Sequence, residues 1–170
     1  MRLKSAIVGS VLFALMAYPR VGVPGEHKGR ASTQKVTNEV YRNVCGTCHL
    51  AYQPGFLPTR SWLKILSDPN AHPGGEVAMD ESARKQIQEY LTANSADQRA
   101  SKRSRRILRS IGTDEAPVRI SELPYIKRKH KHIRAEVFAR KSIGSRGNCP
   151  ACHKAADDGV FSEHQVSIPR

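Results

Sequence analysis

Two stretches of the sequence carry the same arrangement of thiol and imidazole side chains. Residues 45–49 (Cys-Gly-Thr-Cys-His) and 149–153 (Cys-Pro-Ala-Cys-His) both follow the pattern Cys-x-x-Cys-His, and together they contain all four cysteines of the chain. This pattern is typical of covalent c-type haem attachment, in which two thiols add across the haem vinyl groups and the adjacent imidazole binds the iron. The predicted attachment residues are Cys45, Cys48, Cys149 and Cys152, and the predicted proximal iron ligands are His49 and His153. The sequence therefore predicts two covalently bound haems and leaves no cysteine for a disulfide.

Cys-x-x-Cys pairs also occur in thiol–disulfide oxidoreductases and in zinc sites. For thiol–disulfide exchange we expect the first motif to follow a strand and open a helix, whereas here it closes a predicted helix and a histidine follows each pair. Zinc sites of the finger type need a second ligand pair at a characteristic spacing, and neither motif has one. Both alternatives are therefore less consistent with the sequence than haem attachment.

The sixth ligand of each iron is not part of either motif. Methionine at that position raises the reduction potential of a haem, and histidine leaves it lower. Met79 is the one methionine outside the predicted export signal, so it cannot serve two irons, and at least one haem is predicted to be bis-histidine or open. The remaining histidines are His27, His72, His130, His132 and His164.

His130 and His72 are the proposed distal ligands. Ile126, His130, Ile133 and Val137 recur at helical offsets, which predicts an amphipathic helix with His130 on its apolar face and His132 facing water. His72 lies in a turn between two predicted helices, within reach of the first haem. The alternatives are a packed core histidine at position 130 and an exposed loop histidine at position 72. His164 is a reserve candidate, and His27 is expected to be solvated.

Aromatic side chains are expected near both haems. Tyr52, Phe56 and Trp62 are expected to pack against the first haem, and Phe138 and Phe161 against the second. The alternative for all five is simple core packing. Arg60 is expected to be solvated or to pair with a haem propionate.

The first residues have the features of an export signal. Arg2 and Lys4 precede an apolar run from Ala6 to Ala17, which is too short for a membrane span of about 20 residues. We therefore expect residues 1–25 to be a signal peptide cleaved between positions 17 and 25, and the mature chain to be soluble and periplasmic. Export agrees with haem attachment, which takes place outside the cytoplasm.

The predicted elements are helical and divide the chain into two haem-binding parts. Helices are expected over 35–49, from about Trp62 to just before Pro69, after the N-cap residue Asp80, and from Pro124 onward. Residues 118–123 are expected to be extended. These elements predict a mostly α protein with a first haem domain at 31–95, a basic linker at 96–117 and a second haem domain at 118–170. Within the linker, a helical turn is predicted around Ile107.

Composition and charge suggest how the chain folds and what it meets. Only 39% of its 170 residues are apolar and 6% are aromatic, so two haems are expected to complete a lean core and the haem-free chain is expected to fold poorly. The formal net charge is +13, and much of it lies in two basic runs, at 99–109 and 127–134. These runs form either a solvated surface or one that attracts an acidic redox partner or an anionic membrane. Nucleic acid is an unexpected partner for an exported protein.

Several strings of residues resemble the dihaem cytochrome c family. The longest is residues 45–62, and shorter ones are residues 90–97, 118–125, 128–130, 148–153 and 168–169. The resemblance implies a class I cytochrome c-like N-terminal haem domain and a smaller, irregular helical C-terminal haem domain. It also implies two low-potential bis-histidine haems, with His72 and His130 as the sixth ligands. The family tends to have His-Phe-Gly where this chain has His72-Pro73-Gly74.

The resemblance further implies an electron carrier rather than an enzyme. The expected donor is a membrane b-type cytochrome, and the expected acceptor is a small monohaem cytochrome that binds oxygen. The competing interpretation is a dihaem enzyme, either a peroxidase or a reductase of small molecules, which needs one iron with an open sixth position. The absorption spectrum and its response to carbon monoxide distinguish the two.

Overall fold

A computed structural model describes residues 33–68, 70–72 and 74–170. Within these ranges the secondary structure is helical, and the one β pairing is an isolated antiparallel bridge between His153 and Val166. The mostly α fold predicted from the sequence is thus confirmed. The predicted signal peptide at 1–25, together with His27, Pro69 and Pro73, lies outside the described residues.

The described part contains seven α-helices and three 3-10 turns, joined by loops. The helices are α1 (Glu39–Cys45), α2 (Thr59–Ser67), α3 (Glu81–Ala93), α4 (Lys102–Leu108), α5 (Pro124–Lys129), α6 (Ala135–Phe138) and α7 (Cys149–Cys152). The 3-10 turns span Pro54–Phe56, Ile120–Glu122 and Glu163–Gln165. None of these helices is long and apolar enough to cross a membrane.

Helix α3 packs against both α1 and α2, and the first Cys-x-x-Cys-His motif begins at the end of α1. The Asn38 side chain caps α1 by accepting a hydrogen bond from the Tyr41 amide at 2.7 Å, so the helix begins later than the predicted residue 35. Asp80 caps α3 in the same way, accepting from the Ala83 amide at 2.7 Å. The predicted start of α3 is therefore confirmed, and its apolar face buries Ile87 and Leu91.

The predicted linker at 96–117 contains a packed helix. Ser101 caps α4, Ile107 is fully buried, and the Ser104 hydroxyl donates to the Gly55 carbonyl at 2.9 Å. One hydrophobic cluster includes Ile107 together with residues from both predicted haem domains, such as Phe56 and Phe161. The stretch is therefore helical around Ile107 and packs against other parts of the chain, whereas its role as a linker and the domain boundaries stay a prediction.

The segment before the second motif differs from its sequence-based prediction in two ways. Residues Ile120–Glu122 form a 3-10 turn instead of an extended stretch. Helix α5 starts at Pro124 as predicted, but it ends at Lys129 with His130 as its C-cap, and α6 is separate. Three cations fill the last turn of α5, where the helix dipole favours positive charge. The expected continuous apolar stripe from Ile126 to Val137 is therefore interrupted.

Candidate haem sites

The first motif straddles the end of α1. Cys45 is the last helical residue, and Cys48 and His49 follow in a turn. All three, together with His72, line a cavity of about 1310 Å³, which exceeds the roughly 300–1,000 Å³ typical of small-molecule pockets. Its walls come from α1, α2 and α3 and also from residues 118–122 and 143–148. The cavity therefore lies between parts of the chain that belong to both predicted domains.

His49 and His72 face each other across this cavity. Their ring centroids are 5.9 Å apart, with an angle of 21° between the ring planes. The Nδ1 of His49 lies 2.7 Å from the Leu50 carbonyl oxygen, and the Nδ1 of His72 lies 2.9 Å from that of Gly75. The Gly74 amide is also 3.3 Å from the His72 Nδ1, but the carbonyl contact is shorter. A carbonyl only accepts, so each Nδ1 carries the proton and each Nε2 keeps a lone pair for a metal.

Aromatic side chains form part of the wall of the same cavity. Trp62 and Tyr52 line it, as expected for residues that pack against the first haem. The Trp62 indole donates to the Pro54 carbonyl at 2.9 Å, and the Tyr52 hydroxyl donates to the Gly147 carbonyl at 2.6 Å. Phe56 was expected in the same wall, but its ring instead packs edge-on against Phe161, at 5.2 Å. The Tyr52 contact links the first site to the approach of the second motif.

The second motif begins α7, and its histidine meets His130. The ring centroids of His130 and His153 are 6.1 Å apart, with 84° between the planes. The Nδ1 of His130 lies 2.9 Å from the Ile126 carbonyl oxygen, so this ring too presents its Nε2. Phe138 and Phe161 contact the pair, at 6.3 Å from His130 and 5.4 Å from His153. The two aromatics expected around the second haem are therefore at this site.

The other histidines lie elsewhere. His132 is exposed, as predicted. The reserve candidate His164 is exposed, in the 3-10 turn Glu163–Gln165. Met79 lines the first cavity together with His72. The two histidines selected from the sequence, His72 and His130, therefore each lie beside the histidine of one motif.

The first thiol of each motif has a raised pKa. None of the four cysteines, all of which the structure describes, forms a disulfide. Burial raises the pKa of Cys45 to about 11. Burial, with a contribution from Cys152, also raises the pKa of Cys149 to about 11 despite a backbone hydrogen bond. Thiol–disulfide oxidoreductases instead use a cysteine whose pKa is lowered.

Arg103 is a residue of the second site that sequence reasoning missed. It lies on α4, and its guanidinium carbon is 5.6 Å from the centroid of the Phe161 ring. Nothing in the local sequence separates it from its exposed neighbours Arg105 and Arg106, because all three belong to one basic run. Arg60, considered as a propionate partner or a solvated residue, instead donates to the carbonyls of Glu115 and Gly112, at 2.5 Å and 3.0 Å.

The two basic runs of the sequence converge beside the second site. Helices α4 and α5 contact each other, and residues from both line a concavity of about 380 Å³. We call this concavity the basic pocket; its lining residues are Arg106, Arg109, Ser110, Tyr125, Arg128 and Lys129. Lys129, which forms an ion pair with Glu163, directly precedes His130. Positive charge is thus concentrated next to a residue of the second histidine pair.

Both sites suit a covalently attached haem. Each has two thiols, an adjacent histidine, a second imidazole facing the first, and aromatic neighbours. The buried, unpartnered Nε of Arg103 adds a donor beside the second site that no described protein group satisfies. The thiols match the covalent tether of a c-type haem, and the imidazoles match its iron ligands. The arginine donor matches its acidic side chains.

The chain is similar to three solved structures of dihaem cytochromes. A diheme cytochrome c from Rhodobacter sphaeroides is 38% identical, with a TM-score of 0.66, covering 76% of this chain and 100% of that one. DHC purified from Rhodobacter sphaeroides is 38% identical, with a TM-score of 0.58, covering 75% and 99%. A diheme cytochrome type c from Shewanella baltica OS155 is 28% identical, with a TM-score of 0.62, covering 78% and 93%.

The family comparison covers both motifs. No curated protein sequence matches the chain. A family model described as dihaem cytochrome c matches residues 41–161, a range that contains both Cys-x-x-Cys-His sequences and the histidines that face them. The protein accordingly carries two c-type haems, and it belongs to the dihaem cytochrome c family.

Proposed function

We propose that the protein is an electron carrier in which two histidines hold each haem iron. His49 and His72 ligate the first iron, and His130 and His153 ligate the second. The haem supplies reversible one-electron chemistry between Fe(III) and Fe(II). The protein contributes the covalent tether, the axial imidazoles and an apolar enclosure, and no substrate bond is made or broken.

The separation within each histidine pair is the observation that carries this proposal. Bonds from a metal to an imidazole nitrogen are about 2 Å long, so two imidazoles on opposite sides of one iron have ring centroids about 6 Å apart. The observed separations are 5.9 Å and 6.1 Å. Backbone carbonyls hold the Nδ1 protons of three of the four rings, which favours ligation through Nε2.

Histidine at both axial positions has two consequences for the activity. With a second histidine bound, neither iron would have a free position for a peroxide or another small molecule. The same ligation would leave both haems at lower reduction potentials than methionine ligation. A low-potential carrier that binds no substrate is the function that agrees with this coordination.

The proposed location and partners rest on the sequence and on the resemblance to the family. The predicted signal peptide at 1–25 and the extracytoplasmic attachment of c-type haem support a periplasmic location. We infer that a membrane b-type cytochrome supplies electrons and that a small monohaem cytochrome accepts them. The basic pocket supports docking of an acidic partner surface near the second haem.

The absorption spectrum of the purified protein tests the proposal. We expect a pyridine haemochrome count of two haems per chain and purely low-spin spectra in both oxidation states. Addition of carbon monoxide to the reduced protein should leave the spectrum unchanged. A high-spin fraction that binds carbon monoxide would contradict closed coordination and favour a dihaem peroxidase or reductase.

A further inference from the structure

Arg103 places a cation against the aromatic wall of the second haem site. It is half-buried on α4, and its Nη2 donates to the Phe161 carbonyl at 3.2 Å. Its guanidinium carbon lies 5.6 Å from the centroid of the Phe161 ring, which itself lies 5.4 Å from the His153 ring. Both distances are measured to the Phe161 ring, so the guanidinium carbon lies within about 11 Å of the centroid of the His153 ring.

One donor of this guanidinium has no partner. The Nε of Arg103 is buried and makes no hydrogen bond to any described residue. No carboxylate among the described residues lies within ion-pair distance of Arg103. The charge of Glu163 raises the pKa of Arg103, but Glu163 is already paired with Lys129. A buried donor and a partly buried cation each cost free energy unless an acceptor, preferably an anion, meets them.

The electrostatic surroundings show the same imbalance. Burial lowers the pKa of Arg103, and Arg106 lowers it further, while Tyr125 and Glu163 act in the opposite direction. Arginine stays protonated in proteins, so a positive charge remains close to the second ligand pair. The haem brings the missing anions itself, since each haem carries two propionate groups.

We propose that the guanidinium of Arg103 binds a propionate of the second haem, and that this contact raises the reduction potential of that haem. The inference rests on the proposed histidine ligation of that iron. Reduction adds one electron, so a fixed cation favours the reduced state, and an ionised propionate without its cation disfavours it. At separations of about 10 Å and an effective dielectric constant of about 20, one unit charge changes an equilibrium constant roughly tenfold.

Three variants of the haem-loaded protein separate this contact from a general charge effect. R103Q removes the charge and shortens the side chain, but it keeps a neutral N–H donor at the position of the arginine Nε. R103K keeps the charge but lacks the planar guanidinium and its several donors. R105Q is the matched control, because Arg105 lies on the same helix, is exposed, and donates to the Ala100 carbonyl at 3.0 Å, away from Phe161.

The measurement is a reductive titration followed by absorption and by EPR of the ferric haems. The two proposed ligand pairs differ in the angle between their imidazole planes, 21° and 84°. This angle changes the anisotropy of a low-spin ferric signal, so each haem can be followed separately. R103Q should lower the reduction constant of the near-perpendicular haem roughly tenfold, which is about 59 mV for one electron. R105Q should leave both haems nearly unchanged.

R103K provides a second readout that survives if R103Q fails to retain its second haem. Without the guanidinium contact, the propionate should take up a proton in the mildly acidic range, and the potential of the second haem should then rise as the pH falls. The wild-type potential should vary less over that range. Equal shifts in R103Q and R105Q, a shift confined to the first haem, or an R103K pH dependence identical to wild type would each overturn the proposal. A wild-type protein with a high-spin haem would instead contradict the ligand assignment, independently of Arg103.

Discussion

His72 and His130 lie outside the Cys-x-x-Cys-His motifs, and each is predicted to hold one iron from the distal side. H72A should leave the first haem attached but five-coordinate, because the thioether bonds and His49 remain. H130A should do the same to the second haem. Carbon monoxide added to either reduced variant should then bind about half of the haem, measured by the difference spectrum against the haemochrome count.

Two further variants make this test specific. His132 is exposed, so H132A should behave as wild type. Met79 lines the cavity of His72, and M79L should also keep both haems low-spin if histidine is the ligand. Carbon monoxide binding by M79L but not by H72A would transfer the ligand role to methionine.

At the scale of single residues, the sequence was most informative where the chemistry is local. The two motifs could be identified from five adjacent residues each, without knowledge of the fold. His130 was selected from a helical stripe that is only partly present, yet its relation to Ile126 holds because one turn of α5 joins them through a backbone hydrogen bond of 3.1 Å. Arg103 could not be found in this way, since only the fold brings α4 against Phe161.

Among the helices, α2 depends on a residue from another element for its cap. Its own N-cap residue, Pro58, makes no side-chain hydrogen bond. Instead, Asp97 accepts from the Thr59 amide at 2.8 Å and from the Ser95 hydroxyl at 2.7 Å. Since Trp62 of α2 lines the first cavity, this contact connects the end of α3 to the wall of the first haem site.

We predict that D97A destabilises the protein by about 1 kcal/mol at neutral pH, as expected for loss of an N-cap. Burial alone would raise the pKa of Asp97, but hydrogen bonds from Ser95, Thr59 and its own backbone together lower it. The folded state therefore favours the carboxylate, and this stabilisation is present above the ordinary aspartate pKa and is lost as the pH falls through the lowered value. The difference in Tm between wild type and D97A should accordingly shrink on acidification.

Two controls accompany that measurement. D97N keeps an acceptor at the cap and should lose less stability than D97A, with little pH dependence of its own. D157N changes an exposed aspartate and should follow wild type. A constant gap between D97A and wild type down to acidic pH would show that ionisation of Asp97 does not contribute.

Helices that depend on interactions within one turn were predicted more accurately than the helix that depends on contacts with distant parts of the chain. Helices α3 and α5 start where Asp80 and Pro124 indicate, because a cap or a proline acts within one turn. Helix α4 was expected only as a possible turn around Ile107, since its stability comes from contacts such as the one between Ser104 and Gly55. Periodicity of apolar residues does not report such contacts, nor does it reveal that the chain turns at His130.

For the molecule as a whole, the arrangement of charge predicts where a partner docks. R106E with R128E reverses two charges of the basic pocket, and R42E with K85E reverses two exposed charges on α1 and α3 that lie outside it. Only the first pair should slow oxidation of the reduced protein by ferricyanide, about tenfold at low ionic strength. The stopped-flow oxidation rates of wild type and of both variants should converge as salt is added. Equal slowing by both pairs would mean that only net charge matters.

The large cavity predicts that folding depends on the haem. A space of about 1310 Å³ lies among the residues of the main hydrophobic cluster, and a ligand that fills it stabilises the native state alone. Protein produced without haem attachment should show reduced helical circular dichroism and no cooperative thermal transition. Replacement of both Cys45 and Cys48 by alanine, with the second motif intact, should reproduce part of this loss of helical signal and cooperativity.

The contact between Thr33 and Gly159 has a consequence for the order of assembly. The Thr33 amide and hydroxyl both donate to the Gly159 carbonyl, at 3.2 Å and 3.1 Å, across a separation of 126 residues. Gly159 has a φ of +74°, and a Cβ there would lie 2.5 Å from the Thr33 carbonyl oxygen, so only glycine permits this clasp. Such a distant pairing closes late. Because Gly159 follows both Cys-x-x-Cys-His motifs along the chain, translation completes both pairs of sulfur atoms before this clasp can form.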